Sequence, residues 1–154
     1  MTQKLIKIIL FTIGKLNFSL PIERVYKILN RTTIYGSGTN QVGIAHISDR
    51  EITVIDLHRR FFQASSIDEA ETKGYLVILQ NTTGELYGIP VGEAPILMDV
   101  PLSTIRVIPE SYRQADTLEI ARHVAVITQG EKSLTVFLLD VDLILPKLQT
   151  EKAR

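Results

Sequence analysis

Isoleucine and leucine fill Leu5 to Ile13, Gly14-Lys15 interrupts them, and Leu16 to Ile22 resumes with Leu16, Phe18 and Leu20 at alternate positions. A period of two places those three side chains on one face of an extended strand, so the segment predicts a β-hairpin. The same grammar returns in YLVILQNTTGELYGIPV, where Tyr75 to Leu79 runs apolar, the polar NTTG turns, and Leu86 to Val91 resumes. Asn81, Thr82, Thr83 and Gly84 are good turn formers, which makes this second hairpin the clearer of the two. Further strands are predicted at Ile44 to Ile47, Ile52 to Leu57, Val124 to Thr128 and Leu134 to Leu139, each rich in β-branched residues. Helix is sparse. Ser66-Ile67-Asp68-Glu69 fits a short capping box, and Pro101 to Ile105 and Asp140 to Leu145 fit a turn or two each. The chain reads as mostly β.

The two hairpins also resemble each other. Gly14, Leu16, Phe18 and Leu20-Pro21-Ile22 line up with Gly84, Leu86, Tyr87 or Gly88, and Ile89-Pro90-Val91, allowing one gap. Later, Ile52-Thr53-Val54 echoes Leu134-Thr135-Val136, and each of these strands ends near an aspartate, Asp56 or Asp140. A duplication of this kind predicts two small β-barrels that lean on each other for core, joined by the polar stretch QASSIDEAETKG at residues 63–74.

Composition narrows the function. At 154 residues the chain buries roughly 70% of its unfolded surface, enough for a core without staples. The absence of cysteine excludes disulfides, thiolate nucleophiles and cysteine-bound metals, and gives no reason to expect an oxidising compartment, so a cytoplasmic location is expected. Seventeen basic residues balance seventeen acidic ones, so no overall field draws the protein toward nucleic acid or an anionic membrane. The apolar opening KLIKIILFTIG is shorter than the ~20 residues of a membrane span and lacks a small-residue cleavage site, which favours a strand over a signal peptide or an inserted segment.

Several motifs then fall into a specific order: the opening FTIGKLNFSLPIERVYKIL, the stretch from Gly43 to Leu57 ending in VIDL, the hairpin closing in GIPV at Gly88 to Val91, and FLLDVDLIL at Phe137 to Leu145. In that order and spacing, from about residue 8 to 146, the chain resembles the CheW-like family of chemosensory adaptors. The resemblance implies an all-β, CheW-like single domain over 1–154. Two intertwined five-stranded barrels of SH3/OB-like type would make it up, with short helical segments. Their approximate extents are 14–72 and 84–136, with exchanged segments 1–13, 73–83 and 137–147. It further implies a non-catalytic scaffold without cofactor, coupling the cytoplasmic tip of a chemoreceptor to the regulatory domain of a CheA-type histidine kinase.

The departures from that pattern concern charge. Where the family commonly has an N-L-R-G turn, this chain has His46-Ile47-Ser48-Asp49, so Ser48 stands at the arginine position and Asp49 at the glycine position. Thr53 replaces a common proline, Lys27 follows Val25 where an acidic residue is usual, and Val91-Gly92 replaces a V-D pair. The apolar frame is intact. These changes alter the charge offered to partners, and the sequence leaves flagellar chemotaxis and a pilus or other motility array both open as the setting.

No chemistry competes strongly with an adaptor role. Asp56, His58, Arg59 and Arg60 follow one another in sequence, but no nucleophile or cofactor motif accompanies them. The structural expectation is that Asp56 ends a strand and accepts bonds from nearby backbone, while Arg59 and Arg60 flank Phe61-Phe62 at the surface. His46, His58 and His123 lack metal-ligand spacing. GSGTNQVG at 36–43 begins like a dinucleotide fingerprint, but Gln41 stands in place of the third glycine, so a loop is expected. An OB-like nucleic-acid-binding barrel is the alternative class. It would need a basic, aromatic-studded groove, and Phe11, Phe18, Tyr26 and Tyr35 fall mostly on apolar faces or without basic neighbours on both sides. A small hydrolase or ligand-binding barrel would need a deep pocket with convergent polar groups. What remains is contact through surfaces. Val25 lies in a segment that mixes apolar residues with charge, as an interface would, and the resemblance to the CheW-like family implies Val25 as the kinase contact and Ile47 and Ser48, in the turn motif, as contacts on the receptor side.

Overall fold

The computed structural model describes residues 4–36, 42–62, 73–109 and 120–144. The Ser66 to Glu69 capping pattern, most of the 63–74 connection and most of the GSGTNQVG stretch lie outside the described residues. Among the described residues eleven strands follow in order: β1 (Leu5–Ile13), β2 (Leu16–Pro21), β3 (Val25–Asn30), β4 (Val42–Ile47), β5 (Arg50–Ile55), β6 (Tyr75–Gln80), β7 (Leu86–Val91), β8 (Ile96–Pro101), β9 (Ile105–Val107), β10 (Ala121–Gln129) and β11 (Lys132–Leu139). Helix among the described residues is limited to α1 (Leu57–Phe62) and single 3-10 turns at Ile22–Arg24 and Leu102–Thr104. None of it is long and apolar enough to cross a membrane.

Turn chemistry explains the hairpins. Ile13 pairs with Leu16 across Gly14-Lys15, and Gln129 with Lys132 across Gly130-Glu131. Gly14 and Gly130 hold φ of 61° and 62°, the positive value that a two-residue turn of type II′ requires at its first position. Between β6 and β7, the Asn81 Oδ1 accepts from the Thr83 amide at 3.1 Å and the Glu85 amide at 2.8 Å, so the side chain replaces missing backbone partners.

The strands form two sheets, in the orders β8-β1-β2-β11-β10-β9 and β3-β6-β7-β5-β4. Each hairpin serves the other half of the chain. The first, β1–β2, lies in the sheet made otherwise of β8 to β11, and the second, β6–β7, lies with β3 to β5. The duplication seen in sequence therefore appears as a reciprocal exchange. β3 runs antiparallel to β6 as β8 does to β1, and β5 runs parallel to β7 as β11 does to β2. An exchange boundary at residue 14 or 84 would cut within a hairpin. Both strands of each pair cross together, because a short turn and a full antiparallel ladder hold them in register. The first sheet holds six strands, with the three-residue β9 as its sixth.

Each sheet curls around a small core of its own. In the first, Ile8, Val100, Ala125 and Leu138 pack together, and its edge strands β8 and β9 are consecutive in the chain through the Leu102–Thr104 turn. In the second, Ile34, Ala45, Ile52, Val54, Leu76 and Ile78 pack together. The largest core lies between the sheets, where the opposite faces of the exchanged hairpins meet: Phe11, Phe18, Leu20, Val77, Tyr87 and Ile89 are among its members. Strands β1, β6 and β7 are thus apolar on both faces, which is why they read as continuous runs rather than alternating ones. Complete burial of each large side chain there contributes about 1.5–3 kcal/mol. Gly88 sits tightly against Leu76 and Ile78: a Cβ at this position would approach both side chains to 3.2 Å, so they would have to give by a few tenths of an ångström.

Polar links fasten the second hairpin to the segment after β11. The Tyr87 hydroxyl donates to the Val141 carbonyl at 2.5 Å, and the Thr82 amide and hydroxyl donate to Asp142 at 3.0 and 2.8 Å. Burial, with the carboxylates of Asp142, Asp140 and Glu85 adding to it, pushes the Tyr87 hydroxyl far above the ordinary phenol range, so it remains a donor.

Candidate partner-binding surface

The turn joining β4 to β5 is two residues long, with Ile47 paired to Arg50. Ser48 and Asp49 hold φ of 48° and 66°, the two positive values of a type I′ turn. Glycine or asparagine is usual there; a side chain in this region costs about 1–2 kcal/mol, reduced for aspartate by local hydrogen bonding. Across from this turn, β3 is an edge strand with a bulge between Val25 and Lys27. Bulges re-aim side chains, and Tyr26 within this one is 59% exposed.

Turn and bulge meet around a depression of about 220 Å³. Tyr26 and Lys27 line it from β3, Ile47, Ser48 and Arg50 line it from the turn, and Leu29 and Leu86 contribute its aliphatic floor. Ile47 and Ser48, both singled out in the sequence, are therefore brought together. Val25 is set apart from them. It pairs with Leu79 and packs, half-buried, against the core between the sheets. Ile28, paired with Val77, lies on that same face of β3 and is 39% exposed. Tyr26 and Arg50 were not among the expected partner contacts, and Lys27 was noted only for its departure in charge. The bulge itself had a signal, the loss of strict alternation at Val25-Tyr26-Lys27, but nothing local joined it to Arg50.

The acid-base cluster at the end of β5 is structural. Asp56 is buried, and its Oδ1 accepts the Arg59 amide at 3.0 Å, which caps α1 at its first turn. The expected strand end at Leu57 falls instead at Ile55, and Leu57 opens the helix. Phe61, expected at the surface, stacks on Phe18 with ring centroids 5.1 Å apart, so α1 seals one end of the main core.

A second depression, of about 200 Å³, lies where β2 and β11 end. Its polar groups are engaged with one another: Arg122 Nε meets Asp140 at 2.6 Å, and the Asp142 amide donates to Asp140 at 2.9 Å. Bonds from the Thr82 amide and hydroxyl hold the Asp142 carboxyl below the usual carboxylate range against a small opposing effect of burial, and Arg24 adds to the lowering. Of these contacts, the Thr82–Asp142 bonds tie the β6–β7 hairpin of the second sheet to the segment that follows β11 of the first. Among the described residues no three histidine, aspartate or glutamate side chains gather as metal ligands would.

A family profile described as "CheW-like domain" matches residues 7–149. The chain belongs to the CheW-like domain family. Among solved structures, the scaffolding protein TtCheW from Thermoanaerobacter tengcongensis is similar with a TM-score of 0.71 at 17% sequence identity, covering 91% of this chain and 87% of that one. At that identity the likeness speaks for the fold. No curated protein sequence matches significantly. Within this CheW-like frame, two positions that depart from the family's usual charges, Lys27 and Ser48, line one and the same depression.

Proposed function

We propose that this chain is a non-catalytic adaptor that couples a receptor-like protein to a CheA-type histidine kinase in a chemotaxis or motility signalling system. The observation that carries this reading is membership of the CheW-like family over nearly the whole chain. Solvent-facing apolar side chains on both sheets support it, among them Tyr26, Ile28 and Ile44 on one and Leu97, Val107 and Val126 on the other. Isolated apolar residues at a surface are ordinary, but their presence on both sheets offers a separate apolar surface to each of two partners. Val25 and its neighbour Ile28 are the proposed contacts for the kinase regulatory domain. Ile47 and Ser48 are the proposed contacts for the receptor's cytoplasmic tip. The working location is the cytoplasm, at receptor arrays.

Calorimetry with the regulatory domain of a kinase encoded beside this protein tests the kinase side. A charge placed without a partner in an apolar interface costs several kcal/mol, so Val25→Asp is expected to abolish binding. Val25 also touches the core, so Ile28→Asp, at a more exposed site on the same face, serves as the companion variant. Loss of binding in both, with circular dichroism unchanged in Ile28→Asp, is the expected result. Full affinity in Ile28→Asp and in a folded Val25→Asp would remove this face of β3 from the interface.

A further inference from the structure

The depression between the β3 bulge and the β4–β5 turn combines an apolar floor with a cationic rim. Leu29, Ile47 and Leu86 are half-buried around it, while Lys27 and Arg50 stand exposed at its edge. Neither cation has an ion pair with a described residue. The acids that flank Arg50 in sequence, Asp49 and Glu51, are not part of the lining, and the Glu51 carboxylate lies 3.8 Å from His46 Nδ1. Two cations beside aliphatic surface, with no carboxylate of the chain's own between them, complement a group that is itself part anionic and part apolar.

We propose that this depression receives a segment of the receptor-like partner in which an aspartate or glutamate stands beside a leucine-like side chain. The carboxylate takes its place between Lys27 and Arg50, and the aliphatic group lies on Leu29 and Leu86. The inference rests on the adaptor reading and gives its receptor side a chemistry. A protein segment fits better than a polyanion: seventeen basic and seventeen acidic residues leave no net field to hold nucleic acid, and a volume of about 220 Å³ admits a side chain or two.

The test is calorimetry at two salt concentrations, using the cytoplasmic tip fragment of a receptor encoded beside this protein and, separately, the kinase regulatory domain. Each is titrated with the wild type, with Lys27→Glu/Arg50→Glu, and with Lys27→Met/Arg50→Met. Both altered side chains are exposed, so all three proteins are expected to melt alike. The tip is expected to bind the wild type less tightly as salt rises. Charge reversal is expected to weaken it about a hundredfold, because like charges then face each other, and the methionine pair to weaken it less while flattening the salt dependence. Exchanging the tip's acidic residue for lysine is expected to restore binding to the reversed variant. Unchanged tip affinity in the reversed variant, or a loss confined to the kinase domain, overturns this inference and leaves the adaptor reading standing. Failure of both proteins to bind the wild type overturns the two together.

Discussion

Tyr87→Phe removes one oxygen from the centre of the molecule and leaves the shape of the side chain unchanged. Tyr87 is completely buried, and its hydroxyl is the donor to the Val141 carbonyl, 2.5 Å away on the far side of the exchanged topology. Val141 is itself buried, so the carbonyl loses a partner in a place that water does not readily reach. A buried group stranded in this way costs about 1–3 kcal/mol. For a chain of 154 residues each kcal/mol moves the melting temperature by about 2–4 °C, so a fall of about 4–8 °C is expected around the middle of that range. Urea denaturation at neutral pH measures the free energy directly, and an unchanged m-value would confirm that only stability has moved. Thr82 ties the same hairpin to the same segment through Asp142, so Tyr87→Phe and Thr82→Val are expected to couple by at least ~0.5 kcal/mol in a double-mutant cycle. A loss below about 0.5 kcal/mol in Tyr87→Phe would refute the reasoning, since it would mean that the carbonyl finds another donor at no cost.

Two further predictions concern polar groups elsewhere. Ser19 is fully buried on β2 with its hydroxyl unpartnered, so Ser19→Ala is expected to raise stability by about 1 kcal/mol in urea melts; a loss would show that the hydroxyl has a partner. The Asp142 carboxyl titrates below its unfolded value near 4, so its contribution is present above that pH and disappears as the pH falls through the folded value. Asp142→Asn is therefore expected to melt below the wild type at neutral pH, with the gap closing under acid; a gap independent of pH would contradict the charge's role.

What could be read from the sequence divides along physical lines. Both hairpins were legible, because Gly14-Lys15 and Asn81 to Gly84 carry their turn chemistry locally. So was the all-β class, and so was the role of Asp56 as an acceptor for nearby backbone. The edge strands β3 and β8 were not legible as strands. β3 mixes charge with apolar residues and carries a bulge, which breaks the period of two on which strand recognition depends. The helix α1 has only six residues, too few for a helical period to emerge. The exchange of whole hairpins was the least accessible feature, since the parallel pairings of Phe18 with Phe137 and Tyr87 with Thr53 leave no local trace. At the surface, Ile47 and Ser48 were reached through the family's turn motif. Tyr26, Lys27 and Arg50 required the folded arrangement, because only the curl of the second sheet brings the bulge against the turn.

Bridging is the property that defines an adaptor, and it is directly measurable. Membranes bearing the receptor are mixed with purified kinase, with and without this protein, and the kinase that sediments with the membranes is quantified. Kinase is expected in the pellet only when the chain is present, rising to saturation as the chain is added, and the Lys27→Glu/Arg50→Glu variant is expected to leave it in the supernatant. Kinase that sediments equally well without the chain, or remains soluble at every concentration of a folded chain, would contradict the adaptor function.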